Sequence, residues 1–554
     1  MIFLSAALSL LTASIALTGS MSAASSASSS CAHDALDTSI SSGLSTPPFV
    51  PPLMFSEGQV VPLIDDDDTT STRTSTSTST STSTPLMSVR GCCSAIPIGE
   101  MPQMSTRQSL QILEQAKTGW ANGNGVWTQM TLKQRIIAMQ SFIKELQQSR
   151  DEIIKVLMYE IGKNYNDAAA EFDRTIQFIQ ETIQTVQSSP DFSSAEFKKV
   201  LTTNVMIRRN AFGIILALGP YNYPLNETYA TIIPALLMGN VVILKIPQVG
   251  GLAHLLTFQA FSRSLPPNTI HFISGSGRKT LPPLMESGAI DGLAFIGGTK
   301  AADVLIKQHP APHRLKIFLQ LEAKNMAIVL KDMMTQKDGS FSTEKMMDEI
   351  ITGALSFNGQ RCTALKIIFV PKGYGKYVAT ELAKRVDKLY KGMPWEIHDD
   401  KGSYSQITPL PYQQRVEYMQ ELMDDAVAKG AIIANENGGS IIKDEKYSAP
   451  YDSSTLMVPA VLYNVTPEMT LFTEEQFGPL VPVVEYESLD DVLAYGLNGI
   501  YGQQVSIFTN KASAEAVTLV DTFSAIFGKI NINSQCGRSP DNVPFTARRS
   551  RYVP

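Results

Sequence analysis

From residue 105 onward the sequence predicts an α/β protein whose parallel sheets are covered on both faces by helices. Three observations lead there. The chain has 554 residues, several times the usual single-domain length, so more than one buried core is expected. Short apolar, β-branched runs alternate with stretches whose apolar residues recur at helical spacing, and that alternation builds parallel sheets. Apolar residues make up 44% and charged residues 18%, with a net charge of −6, which suits a globular enzyme better than a fibre or a wholly disordered chain.

The first 104 residues read differently. Residues 1–17 are almost all apolar or small and lead into Ala23-Ala24-Ser25, a pattern that resembles a targeting segment with cleavage sites. It is short for a membrane span, and the first basic side chain is Arg73. After Asp65-Asp66-Asp67-Asp68, 15 of the 16 positions 69–84 are Ser or Thr, a composition that cannot bury enough apolar surface to order itself. Residues 1–104 are therefore expected to be a targeting-like leader and a disordered linker. The alternative is a true start near Met87, Met101 or Met104. The leader suggests the secretory route or a plastid, whereas the low cysteine use of the body is of the cytoplasmic type.

The body follows in order. Residues 131–148 and 151–186 carry apolar residues at helical spacing, with Asp151-Glu152 placed to open a helix. Strand-like runs are expected at 204–208, 213–218, 241–244, 270–273 and 292–295. A second series has strands at 316–321, 327–330 and 366–370 and helices at 343–356 and 375–389. No solenoid repeat is present.

Charge and composition exclude several functions. Lys and Arg total 46 against 52 Asp and Glu, with no long basic run, so no nucleic-acid partner is expected. The five cysteines are Cys31, Cys92, Cys93, Cys362 and Cys536, too few for a disulfide framework in so long a chain. His309 and His313 are four apart, but Pro310 and Pro312 keep them off one helix face, so no metal site is expected.

Four local features could carry chemistry. In Ser356-Phe357-Asn358-Gly359-Gln360-Arg361-Cys362-Thr363-Ala364 a cysteine follows a helical run through a glycine, and Arg361 beside it would favour the thiolate nucleophile. In Leu218-Gly219-Pro220-Tyr221-Asn222-Tyr223-Pro224 a turn at a strand end places an amide where it could donate to a developing oxyanion. The strand 241–245 ends in Lys245-Ile246-Pro247-Gln248. Phe295-Ile296-Gly297-Gly298-Thr299 opens a helix whose N–H groups suit a phosphate. Gly275-Ser276-Gly277 also follows a strand, but Thr280 stands where the dinucleotide fingerprint has its third glycine.

Taken with Glu474-Glu475-Gln476-Phe477-Gly478-Pro479 and in this order, these motifs resemble the aldehyde dehydrogenase superfamily over roughly residues 105–547. The resemblance implies two Rossmann-like α/β domains with parallel sheets plus an oligomerisation arm near 190–209. It divides the chain into a cofactor-binding domain at 105–325, a catalytic domain at 326–510 and a return segment at 511–554. It implies that Cys362 is the nucleophile and that Asn222 with the Cys362 N–H forms the oxyanion hole. Pro220, Tyr221, Lys245, Gln248, Gly275, Gly277, Gly297, Gly298, Thr299, Glu475 and Phe477 would hold a nicotinamide cofactor. Members that prefer NAD usually carry a glutamate three residues after the lysine; Gln248 stands there, so NADP is expected, with NAD possible.

The run Gln360-Arg361-Cys362-Thr363-Ala364 is similar to the non-phosphorylating, NADP-dependent glyceraldehyde-3-phosphate dehydrogenases. That similarity implies a phosphorylated aldehyde bound by Arg174, Tyr223, Arg361, Thr363 and Arg538, because converging guanidinium groups favour a phosphate over a neutral aldehyde. Two departures bear on turnover. In Leu319-Gln320-Leu321-Glu322-Ala323-Lys324, Gln320 occupies the family's base position, and an amide cannot take a proton. Glu322, two residues further along the expected strand, would share its face and could serve instead. Gln320 and Cys362 lie 42 positions apart, with an extra loop expected at 336–342. The chain also stops soon after Pro544-Phe545, before the family's last strand, so a homo-oligomer is expected only if that end is intact. The leading expectation is oxidation of glyceraldehyde-3-phosphate to 3-phosphoglycerate. The alternatives are an acylating or broad-specificity aldehyde dehydrogenase and a catalytically impaired cofactor-binding homologue.

Overall fold

Successive side chains along the strands enter opposite cores, so both faces of each sheet are buried. The structure, a computed structural model, describes residues 44–62, 84–189, 192, 197–206, 208–335, 341–510, 513–538 and 545–549. Three antiparallel pairs come first: β1 (Leu53–Ser56) with β2 (Gln59–Pro62), β3 (Leu86–Arg90) with β4 (Pro97–Pro102), and β5 (Lys198–Val200) with β6 (Thr203–Val205). Five parallel strands follow: β7 (Ile214–Leu218), β8 (Val241–Lys245), β9 (Ile270–Ile273), β10 (Gly292–Ile296) and β11 (Lys316–Gln320). They lie in the order β11-β10-β7-β8-β9. A second sheet uses β12 (Asn325–Val329), β13 (Leu365–Pro371), β14 (Ile432–Ile433), β15 (Ala460–Tyr463), β16 (Leu480–Tyr486), β17 (Gln504–Phe508) and β18 (Lys529–Ile532). Its order is β14-β15-β16-β13-β12-β17-β18, and only β14 runs antiparallel to its neighbour.

Period-2 burial explains why helices cover both faces. Ile215, Ala217, Val242 and Leu244 enter one core of the first sheet, whereas Ile214, Leu216, Val241 and Ile243 enter the other. In the second sheet Met326, Ile328, Ile367 and Phe369 face one core, and Ala327, Val329, Ile368 and Val370 face its counterpart. Strands buried on both sides read as continuous apolar runs, which is how the central ones were recognised.

Three expectations change. The strand at 316–321, placed with the second series, pairs with β10 as the edge of the first sheet and ends at Gln320. The helical spacing over 151–186 is split into Arg150–Ile161 and Tyr165–Ser188, because Gly162 caps the first helix at φ 75° and Asn164 caps the second. Parts of the expected leader and linker are built into the body. Val50, Phe55, Ile98 and Met101 are buried in the core of the first sheet, and the Val50 N–H donates to the Ile98 carbonyl at 2.9 Å. These short hairpins lack a long alternating run, so their apolar residues gave no strand signal. The segment at 1–43, the acidic and Ser/Thr runs, most of the loop expected at 336–342 and the chain beyond 549 lie outside the described residues. The β5–β6 hairpin falls within the expected arm and exposes Phe197, Val200 and Leu201.

The two sheets meet at one short connection. β11 ends at Gln320 and β12 starts at Asn325, so four residues carry the chain from the edge of the first sheet into the middle of the second. Lys324 anchors it: its ammonium is buried and donates to the Leu471 and Glu474 carbonyls, each at 2.7 Å.

Candidate active site

Cys362 is delivered by a tightly constrained turn. After the helix Thr343–Leu355, Phe357, Asn358 and Gly359 take φ values of 51°, 55° and 71°. Positive φ is rare outside glycine and is held only where the surroundings over-determine it. Here Asn358 exchanges hydrogen bonds with Thr408, donating to its carbonyl at 2.8 Å and accepting from its N–H at 3.1 Å. A side chain at Gly359 would come within 2.7 Å of the Gly478 carbonyl, so the turn requires glycine. The Asn325 amide then donates to the Cys362 carbonyl at 2.7 Å, tying the cysteine's backbone to the first residue of β12.

Around the sulfur the two sheets contribute facing groups. The Gln320 amide, at the end of β11, donates to the Cys362 Sγ at 3.2 Å. Asn222, buried just beyond β7, donates one N–H to the Gln360 carbonyl at 2.8 Å, and the Tyr221 hydroxyl donates to the Gln360 side chain at 2.9 Å. An amide has two N–H groups, and this bond uses one of those of Asn222. Burial pushes the Cys362 thiol up to about 12; the Glu227 and Glu475 charges add to this, while Lys366 and Arg538 oppose it.

The expected anion-binding residues are brought together only in part. Arg361 lies beside Cys362, but its guanidinium donates to the Gly353 carbonyl at 2.9 Å and the Thr352 carbonyl at 3.2 Å, at the end of a helix. Tyr223 faces Lys163, whose ammonium lies 3.4 Å from the ring centroid and pairs with Glu171 in full burial. Arg174 is one turn along from Glu171 on the same helix, which places the two on one face. Arg538 is in an ion pair with Glu227. Thr363 is buried in the turn after Cys362.

Glu322 does not take the place expected for it. Residues two apart share a face only within a continuous strand, but β11 stops at Gln320. Its carboxylate accepts from the Thr299 hydroxyl at 2.6 Å and lies 3.1 Å from where a side chain on Gly298 would begin. The residue thus faces the glycine turn rather than the thiol.

The other expected residues line one rim of the first sheet. Gly219-Pro220, Lys245, Gly275 and Gly297 come at or just past the carboxyl ends of β7, β8, β9 and β10. Strand order reverses between β7 and β10, and such a switch point opens a crevice suited to a dinucleotide. The residues present fit that group. Gly275, at φ 95°, has no room for a side chain, which would meet the Met104 backbone nitrogen at 2.9 Å. Lys245 is buried, its ammonium donates to the Ile246 carbonyl at 2.6 Å, and burial lowers it to about 8. A sequestered cation at a strand end is ready for a phosphate or ribose oxygen. Gln248 is exposed on the following turn. On the facing wall, Glu475 lies 3.5 Å from the Lys366 ammonium, which also sits 4.7 Å from the Phe477 ring centroid; the Tyr221 ring stands edge-on to Phe477 at 5.9 Å.

Three site residues escaped sequence reasoning. Lys366, the second residue of β13, is the only charge in Leu365–Pro371, a signal that could have been noticed. Glu227 is likewise an acidic residue in the apolar helix Asn226–Leu237. Asn325 carried no signal, because its bond to the Cys362 carbonyl spans 37 positions.

Comparison with known proteins bears on this arrangement. The model of the aldehyde dehydrogenase family matches residues 79–550. The NADP-dependent glyceraldehyde-3-phosphate dehydrogenase of Streptococcus equinus is 29% identical over 458 residues, covering 81% of this chain and 87% of that one. The enzyme of the same name from Pisum sativum is 28% identical over 430 residues, covering 76% and 79%. Among solved structures, the NADP-dependent glyceraldehyde-3-phosphate dehydrogenase from Bacillus halodurans C-125 complexed with NADP superposes with a TM-score of 0.74 at 24% identity, covering 90% of this chain and 94% of that one. The lactaldehyde dehydrogenase from Escherichia coli gives 0.73 at 20% identity, covering 88% and 92%. These likenesses establish the fold.

Proposed function

Because the chain belongs to the aldehyde dehydrogenase family, oxidoreductases acting on aldehydes, we propose that Cys362 is its nucleophile and that its substrate is a phosphorylated aldehyde, glyceraldehyde-3-phosphate, oxidised to 3-phosphoglycerate with NADP. The observation that carries this is the setting of Cys362: Gln320 donates to its sulfur, Asn325 holds its carbonyl, and Asn222 is tied to the Gln360 carbonyl two residues before it. The Cys362 sulfur adds to the aldehyde carbon as its S–H proton passes to water, and the carbonyl electron pair moves onto oxygen. The free N–H of Asn222 and the Cys362 N–H receive the oxyanion. The cofactor, when bound, supplies the hydride acceptor that turns this adduct into a thioester. Lys245 and the glycine turns hold its adenosine and phosphate parts, and Glu475 with Phe477 holds the nicotinamide end. Gln248 places no negative charge near Lys245, which suits the 2′-phosphate of NADP. Arg361, Tyr223 and Arg538 are the groups for the substrate phosphate, with Arg174 on the flanking helix, and the names of the similar enzymes support that choice. Self-association through the exposed β5–β6 hairpin is part of the same proposal.

One observation favours a second reading of the last step. The group nearest the sulfur from β11 is an amide, and Glu322 is engaged with Thr299. An amide cannot deprotonate water, so the thioester would be released to phosphate or coenzyme A. The test is NADPH formation from glyceraldehyde-3-phosphate and NADP in buffer free of both. Sustained turnover supports hydrolysis. A burst that resumes only when phosphate or coenzyme A is added supports acyl transfer, and no NADPH at all defeats both.

A further inference from the structure

We infer that Glu227 is a specificity-determining residue, which holds Arg538 until an anionic substrate arrives and so sets how readily the pocket accepts a phosphate. The inference rests on the proposal that Cys362 is the nucleophile and Arg538 a substrate-binding residue.

Glu227 lies five residues after Asn222, in the first turn of Asn226–Leu237, and its N–H donates to the Tyr223 carbonyl at 3.2 Å. That bond sets Glu227 one turn on from Tyr223, at the start of the helix that follows the Asn222 turn. Its partner is the Arg538 guanidinium, and the two side chains are only 10% and 18% exposed. The Glu227 charge raises the Cys362 thiol and supports the charged form of Lys163, so the Glu227–Arg538 pair acts electrostatically on both. Two partly buried opposite charges stay together because each compensates the other's lost hydration. A phosphate ester seeking Arg538 must share the guanidinium with a carboxylate of its own sign, which is unfavourable at short range. A neutral aldehyde makes no such demand. Glu227 therefore discriminates by charge, and its effect falls on substrate affinity more than on the chemical step.

The test uses the full chain, as wild type and Glu227→Gln, with KM for glyceraldehyde-3-phosphate and for uncharged glyceraldehyde. The ratio of the two is expected to fall by about tenfold in the variant, from relief of like-charge repulsion, with kcat changed much less. A ratio that is unchanged or rises overturns the inference; a rise would mean that Glu227 positions Arg538 for the phosphate. If the wild type does not oxidise glyceraldehyde-3-phosphate, the functional proposal fails, and inorganic phosphate becomes the probe. Its protection of Cys362 from iodoacetamide, followed by peptide mass spectrometry, is expected at about tenfold lower concentration in the variant, and equal protection overturns the inference. Should Glu227→Gln not fold, Glu227→Ser, which also removes the charge with a smaller side chain, is expected to move the same readouts in the same direction, and no movement overturns the inference.

Discussion

The Gln320 amide donates to the Cys362 sulfur at 3.2 Å across 42 positions of sequence, joining the last residue of one sheet to the turn that feeds the other. This contact puts a hydrogen-bond donor, rather than a proton acceptor, at the sulfur proposed as the nucleophile. The same donor stabilises a thiolate.

Restoring a carboxylate there should speed hydrolysis. Gln320→Glu is expected to raise steady-state NADPH formation, in buffer free of phosphate and coenzyme A, by at least about 10²-fold, the lower end for a positioned general base. An unchanged steady rate would mean that water activation at this position does not limit turnover.

The thiol of the free protein should be slow to ionise. With Cys362 pushed up to about 12, the thiolate fraction is small at neutral pH and grows about tenfold per pH unit. Alkylation by iodoacetamide without cofactor is expected to rise steadily from pH 7 to 10 with no plateau. A plateau below pH 8 would show that the surrounding cations outweigh burial.

Lys366 should matter to both stability and reactivity. It is 1% exposed, lies 3.5 Å from Glu475 and donates to the Gln476 carbonyl at 3.0 Å. Lys366→Met leaves a buried carboxylate uncompensated and is expected to cost about 3–5 kcal/mol in urea denaturation. It also removes a positive charge near Cys362, so alkylation at a given pH should slow. Wild-type stability in the variant would refute the ion pair.

Glu160 gives a pH signature. Burial raises its carboxyl to about 8, although the Gly251 and Leu252 N–H groups donate to it and oppose the rise. Between the ordinary carboxyl value of 4.5 and about 8 the folded protein holds a proton that the unfolded chain releases, so stability falls as pH rises through that window. Glu160→Gln is expected to flatten the dependence by on the order of a few kcal/mol between pH 5 and 8. Denaturant midpoints of both proteins at pH 5, 6.5 and 8 decide it; parallel curves would exclude the effect.

Legibility varied with the range of the interaction. The strands 270–273 and 292–295 and the helix 343–356 were readable to within a residue or so, because burial on both faces leaves continuous apolar runs and helical burial leaves a regular spacing. Lys245, Gly298 and Cys362 were readable because each sits at a strand end or a glycine turn, which punctuates the sequence. Glu322 was misplaced because its argument assumed a strand two residues longer than β11. Arg538 was named, but its pairing with Glu227 spans 311 positions and leaves no local trace.

By itself, then, the sequence determined the α/β class, the order of strands and helices, the motifs and the amide at position 320, since these follow from local periodicity, turn chemistry and residue identity. Tertiary structure decided the rest. It assigned 316–320 to the first sheet, built the hairpins at 53–62 and 86–102 into the body, turned Glu322 toward Thr299, and paired Lys366 with Glu475 and Glu227 with Arg538. Those outcomes depend on which strand edges pair and which charges are buried together, and both are fixed only when distant segments pack.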